Sequence, residues 1–491
     1  MRTLTHETRI AVQRVRDRYS ATRCAAVLLG AFLLSWPAIY NGFPLLYPDS
    51  MAYLGNGRLV ARALFLHRFS ADYGPRSLVY SLGTLPWSWY KNPWPIVGLQ
   101  CLLVAWIVWL VVRSFVPRHI VTSYLALIVF LSVLTSASWY AGFIMPDILG
   151  PVLYLSIYLI VYARETLSRG ERLALYLIAW WSITAHATHL LLAIGLCFLL
   201  ALLAALNRRR SPGRLRPVGE VAAILAVAAA SQMALNGYLY GTPSLNGRHA
   251  PILMARVIAD GPGRWYLEKN CPQLQWAVCE HLRSLSSDPN TFLWGTDAPY
   301  ESASESEKQR FEAEEIPLVL AALRAYPRQQ FSLSAANFLD QLRYFGMFAF
   351  NYNERILERL DEVMPSERAS YLKSRQERDA LHLVLLTHIE LWIIVASLLA
   401  IAVLILPAWR RHSRRLAGLS IVIAAMVVAN AWVTGVLSGF NHRYQCRVIW
   451  MIPLLAGIFV LDWIEQRRTG KSDPALPANE REYNCAIQPT P

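Results

Sequence analysis

Few residues of this chain are placed to do chemistry, and those few lie at the rims of apolar runs. Asp49 sits in YPDSMAY and Asp147 in MPDILGP. A carboxylate in a partly dry cleft can act as a general base. His186 and His189 bound a HATH segment. Their spacing puts them on one helix face, but two imidazoles fall short of a metal-ligand set. The segment NHRYQCR carries His442, Arg443, Tyr444 and Arg447. Arg443 and Arg447 are four apart and share a face if this end is helical. Two guanidiniums so placed can grip a phosphate through bidentate hydrogen bonds. Arg76, in PRSLVYSLG, is a further candidate. Each has a plainer alternative. Both aspartates follow a proline and precede a helical pattern, as helix caps do. The histidines suit an interfacial turn, and the arginines could snorkel to lipid headgroups.

The elements that must position these residues are long and apolar. The 491 residues are 55% hydrophobic and 16% charged, where a soluble chain carries about a quarter charged residues. Roughly 20 apolar residues span a bilayer as a helix. Runs of that kind occur at 24–47, 94–112, 120–136, 188–206, 218–236, 387–408, 417–437 and 446–464, with shorter ones near 148–163 and 172–187. The pattern predicts an all-α polytopic membrane protein of about ten transmembrane helices.

Charge predicts the orientation. The chain carries 47 Lys and Arg against 33 Asp and Glu, a net of +14. Residues 237–380 hold 16 basic and 19 acidic side chains, so the remainder carries +17 in short loops. Counting crossings from a cytoplasmic N-terminus, every even crossing meets a basic cluster. These are Arg113 and Arg118; Arg164, Arg169 and Arg172; Arg208, Arg209, Arg210, Arg214 and Arg216; Arg410, Arg411, Arg414 and Arg415; and Arg467, Arg468 and Lys471. This is the positive-inside pattern. The basicity therefore reports topology and argues against a nucleic-acid partner.

The expected organisation is a basic cytoplasmic tail (1–23), a first membrane module of about seven helices (24–236), a large extracytoplasmic domain (237–386), a second module of about three helices (387–465) and a cytoplasmic tail (466–491). The first outer loop, 41–93, reads as amphipathic helices in the membrane interface, with Trp87, Trp89, Tyr90 and Trp94 as aromatic anchors. Within the large domain, Ser304 and Glu307 can form a capping box before a helix ending near Tyr326. Leu333, Phe338, Leu339, Leu342 and Phe345 follow at helical spacing, and ERILERLDEVM is amphipathic. Cys271 and Cys279 are either free thiols or a disulfide formed in an oxidising compartment.

The arrangement resembles the GT-C superfamily of membrane glycosyltransferases. YPDSMAY after the first helix, MPDILGP between the third and fourth, and HRYQCRVIW before the last carry the resemblance. PRSLVYSLGTLPW looks like that superfamily's interfacial helix. The resemblance covers about 24–200 and 430–465, and does not extend to 237–386. It implies an inverting transfer from a polyprenyl-phosphate-linked sugar donor to a glycan or lipid acceptor of the cell envelope. Asp49 would be the general base. Asp147 would assist or hold a divalent ion such as Mg or Mn, with Asp49 as the other potential ligand. Arg443, with Arg447, His442 and Tyr444, would bind the lipid phosphate. Here a single Asp is followed by Ser50, where the superfamily often pairs two acidic residues.

Localisation in a bacterial inner membrane, with membrane lipids as neighbours and the large domain periplasmic, follows from this reading. Three alternatives stand beside it. An O-antigen ligase or polymerase would use outer Arg and His and would not need Asp49. A transporter or flippase would favour broken helices in matching halves, for which Pro37 is the main candidate break. A non-catalytic scaffold would use the large domain to bind a partner. No Walker loop, HExxH or GxSxG elbow occurs.

Overall fold

The structure, a computed structural model, describes residues 21–469 apart from 71, 72, 74, 75, 207–214, 246, 248, 296, 352–354, 411 and 412. The tail up to residue 20, Arg208, Arg209, Arg210, Arg214, Arg411 and the tail from 470, with Lys471, lie outside the described residues. Among the described residues every regular element is helical. Extended pairing is confined to an isolated bridge between Leu45 and Phe143.

The first module runs α1 (Ala21–Asn41), α2 (Pro48–Leu66), α3 (Leu78–Ser88), α4 (Trp94–Phe115), α5 (Ile120–Leu134), α6 (Leu149–Tyr162), α7 (Arg169–Thr184), α8 (Ala187–Leu206) and α9 (Leu215–Tyr240). The large domain contributes α10 (Glu305–Ala325), α11 (Pro327–Arg343) and α12 (Ile356–Val363). The second module is α13 (Leu383–Arg410), α14 (Arg414–Leu437), α15 (His442–Ile449) and α16 (Met451–Thr469).

All ten apolar runs are helical. Seven are long and apolar enough to cross a membrane: α1, α4, α8, α9, α13, α14 and the combined span His442–Arg468 of α15 and α16. The chain is thus a polytopic helical membrane protein. Helices α5 and α6 are apolar but shorter. Helix α7 has 16 residues and begins in polar chemistry. Ser168 and Glu171 form its capping box, and Glu171 pairs with Arg113 and Arg23 at 2.8 Å each. That first turn is committed to ion pairs, which shortens the apolar stretch.

The first loop folds as its periodicity predicts. Gly42 ends α1 in the left-handed region at φ +80°, as a C-cap glycine does. Pro48 then occupies the first turn of α2, where its missing N–H costs nothing. Ser50 is fully buried. Its hydroxyl accepts the Tyr47 N–H at 2.9 Å, closing the helix start. Helix α2 packs on α3 at Gly57, where an added Cβ would lie 2.5 Å from the Ser81 carbonyl oxygen.

The large domain has its own core, with Met254, Val257, Leu267, Phe292, Phe311 and Leu318 buried together. Cys271 and Cys279 are joined as a disulfide. Ser304 caps α10 by accepting the Glu307 N–H at 3.3 Å. The reciprocal half of the expected capping box is absent, because Glu307 instead lies 2.9 Å from His281 Nε2. From Asn337 onward, α11 runs against α14, with the Asn337 backbone on Gly435 and the Phe338 ring on Trp432.

Gly57→Ala gains helix propensity, about 1 kcal/mol, but forces α2 off the Ser81 carbonyl, an overpacking cost of roughly 1–3 kcal/mol. A lowered thermal unfolding midpoint is the expected result. A raised midpoint would show that the α2–α3 contact is not this close.

Candidate functional site

The site is built at the start of α2, in the 135–149 segment, at the α7–α8 turn and on α15. Backbone pairing joins the first two. The Leu45 N–H donates to the Gly142 carbonyl at 3.1 Å, and the Ile144 N–H returns to Leu45 at 3.0 Å. A side-chain relay reinforces it. The Tyr80 hydroxyl donates to Gln100 at 2.8 Å, and the Gln100 amide donates to the Ala141 and Phe143 carbonyls at 3.1 and 2.8 Å. The large domain grips the same segment. Gln376 accepts the Leu46 N–H at 3.0 Å and donates to its carbonyl at 2.7 Å.

Asp147 is the centre. It is buried, and its Oδ1 lies 3.4 Å from Arg447 Nη1 and 3.6 Å from Arg443 Nε. It sits inside a short turn, Pro146–Ile148, whose cap position is Met145, so it is not a helix cap. Arg447 is fully buried and well supplied: Asn430 Oδ1 accepts from its Nη2 at 2.8 Å and from its Nε at 3.2 Å, and Thr188 Oγ1 lies 3.4 Å from Nη2. Arg443 differs. Its guanidinium lies over the Tyr47 and Tyr444 rings at 4.3 and 5.3 Å, with Nε and Nη1 buried and without hydrogen-bond partners. Asp147 Oδ2 is likewise unpartnered. Buried polar atoms are normally satisfied, so unpartnered N–H groups on one arginine mark a place where an acceptor belongs.

Asp49 is the second acid. It occupies the second position of α2 behind Pro48, and its carboxylate accepts from Arg76 Nη2 at 2.7 Å. It too is not a cap. Burial pushes its carboxyl up, but the charges of Arg76 and Arg443, the Arg76 hydrogen bond and the more distant Arg359 outweigh this and hold it below its ordinary 3.8. Tyr53, one turn on, is buried edge-on against Tyr80 at 5.0 Å. The large domain reaches this point through Trp294, whose ring lies 5.4 Å from the Arg76 guanidinium.

The HATH segment joins indirectly. His186 Nδ1 accepts from Thr188, whose hydroxyl meets Arg447. His189 is buried and its Nδ1 donates to the Ser182 carbonyl at 2.8 Å. His442 goes elsewhere. It stacks on Tyr344 at 3.7 Å and meets Phe348 at 5.0 Å, on the large-domain side. Of the residues expected to bind phosphate, Arg443, Arg447 and Tyr444 therefore converge and His442 does not. Sequence reasoning missed Tyr47, Tyr53, Thr188, Trp294, Glu390, Asn430 and Gln445. Asn430 and Glu390 had a visible signal, as single polar residues inside apolar runs.

The donor set can be tested against a divalent ion. Asp49 is engaged by Arg76, and Asp147 by Arg443 and Arg447. Three guanidiniums against two carboxylates leave one net positive charge. Such a set repels a cation and attracts an anion, so these residues do not fit Mg or Mn. Comparison of the chain with models of protein families, with curated proteins and with solved structures returned no match.

Removing Asp147 strands two buried cations. Asp147→Ala is expected to destabilise the fold by about 3–5 kcal/mol, read as a loss of thermal stability in detergent. Stability unchanged from wild type would mean that Arg443 and Arg447 do not depend on this carboxylate.

Proposed function

We propose that this chain is a membrane glycosyltransferase of the GT-C kind. It moves a sugar from a polyprenyl-phosphate-linked donor to a cell-envelope acceptor. All ten apolar helices serve as crossings, both termini are cytoplasmic, and the large domain lies on the extracytoplasmic side of a bacterial inner membrane. The observation that carries the reading is Arg443, a buried guanidinium whose Nε and Nη1 have no hydrogen-bond partner, beside an Asp147 Oδ2 that also lacks one.

In this reading the donor phosphate lies on Arg443 beside the Arg447–Asp147 pair. An acceptor hydroxyl enters from the side covered by Trp294 and meets Asp49. The acceptor oxygen attacks the anomeric carbon as the carbon–phosphate oxygen bond breaks, in one inverting displacement. The hydroxyl proton passes to Asp49, and the charge left on the phosphate is stabilised by Arg443. Arg76 weakens Asp49 as a base but fixes its direction. A weak base suffices, because attack on an oxocarbenium-like centre acidifies the hydroxyl as the bond forms. No step uses a metal ion.

The test is transfer from radiolabelled polyprenyl-phosphate sugars in membranes, comparing wild type with Asp49→Asn at matched expression. A fall of at least about a hundredfold is expected for loss of a general base. Transfer that persists would remove Asp49 from the chemistry and favour a ligase-like enzyme working through Arg443. The lowered Asp49 carboxyl also sets the pH dependence. A depressed acid stays ionised, and able to accept a proton, at every pH above a value below 3.8. Transfer should therefore not decline between about pH 7 and pH 5 through this group. An acid limb near pH ~6.5 would assign the base to a histidine instead.

A further inference from the structure

One buried acid lies outside this chemistry. Glu390 belongs to α13, which its neighbours Leu391 and Trp392 show to be widely exposed, while Glu390 itself is fully buried. It has no cationic partner among the described residues, and an intramembrane carboxyl is expensive to keep there. Its Oε1 accepts the Ser136 N–H at 2.9 Å, and its Oε2 lies 3.3 Å from Cys446 Sγ. The Ser136 hydroxyl in turn donates to the Cys446 carbonyl at 2.8 Å. These contacts close a triangle between α13, the segment leading to Asp147, and α15.

The triangle sits where α15 needs a fixed angle. Pro453 has no N–H for the Ile449 carbonyl, and the helix is interrupted by a turn at Trp450 between α15 and α16. Trp450 Nε1 donates to the Arg447 carbonyl at 3.0 Å, and the Tyr140 hydroxyl to that of Arg443 at 3.1 Å. Cys446 lies one turn from Arg443 and next to Arg447. Ser136 lies in the segment that runs on to Asp147.

We infer that Glu390 is a positioning residue of the anion site: its carboxyl oxygen holds the Asp147 segment and α15 in register, and so fixes where Arg443 meets a lipid phosphate. The role belongs to the oxygen acceptor and not to charge. It rests on the anion-site reading of Arg443, so the test includes an arm for that reading.

The probe is farnesyl phosphate, titrated into purified full-length protein in detergent, with inorganic phosphate in parallel to separate headgroup binding from a tail contribution. Glu390→Gln keeps an oxygen for the Ser136 N–H and should bind the probe as wild type does. Glu390→Leu leaves that N–H unsatisfied and should weaken binding about tenfold. Thr387→Val removes a neighbouring tether of α13, the 3.0 Å bond from the Met347 N–H, and should leave affinity unchanged at a comparable loss of thermal stability. Wild-type affinity in Glu390→Leu overturns the inference. So does equal weakening in Glu390→Gln, which would make charge the cause, or in Thr387→Val, which would make loosening of α13 the cause. If Glu390→Leu does not fold, Cys446→Ala cuts only the Glu390–Cys446 edge of the triangle and leaves the Ser136 bond to the Cys446 carbonyl in place. A loss of about threefold supports the role, and none overturns it. Arg443→Met reports separately: unchanged binding there sinks the anion site itself, whatever Glu390 does.

Discussion

A carboxylate and two guanidiniums held out of water must satisfy one another or be satisfied by their surroundings. Asp147, Arg443 and Arg447 draw on both. Several polar groups in the adjoining helices support this centre. Asn430 takes Arg447 and donates to the Tyr444 carbonyl at 2.6 Å, while Gln445 donates to the Val427 carbonyl at 3.1 Å. Thr188 links the α7–α8 turn to the same guanidinium. These bonds dictate which face of α14 looks inward and where α8 begins. The apolar packing around them supplies the bulk of the burial, but it would tolerate other helix rotations. The ionic centre would not.

The same constraint explains why parts distant in sequence meet. The first loop is pinned to the 142–144 segment by backbone bonds and to Gln376 of the large domain by side-chain bonds. Asp49 is thereby delivered to within the field of Arg443. The large domain is therefore part of the site's construction. Its Gln376 sets the loop, and its Trp294 lies over Arg76.

Much of this was legible in the sequence because polar residues are conspicuous against apolar runs. YPDS, MPDI and NHRYQCR each pointed to a group that the structure places in or beside the centre. Helix positions were equally legible, including α10 and α11 on either side of Pro327. Partner choice was not. Asp49 looked like a cap because Pro-Asp starts helices often; only tertiary packing brings Arg76 to it. His442 looked like part of the arginine cluster because it adjoins Arg443, yet adjacent helical residues point about 100° apart, and it turns to Tyr344. The disulfide stayed open because spacing alone cannot bring two thiols together. Helix α7 falls short in apolar length because its first turn is given to ion pairs.

Asp147 and Arg447 are 300 positions apart, and this separation has a consequence for biosynthesis. Membrane helices enter in order as the chain is made. Asp147 is made just ahead of α6, long before α15 exists. At roughly 5–20 residues per second, its counter-charges are about 15–60 s away. Throughout that interval the first module carries an uncompensated acid, which must stay at the water-exposed rim or be shielded by other factors. The last helices therefore complete the first module as well as the site, and a chain truncated before α15 would expose a polar defect that quality control can read.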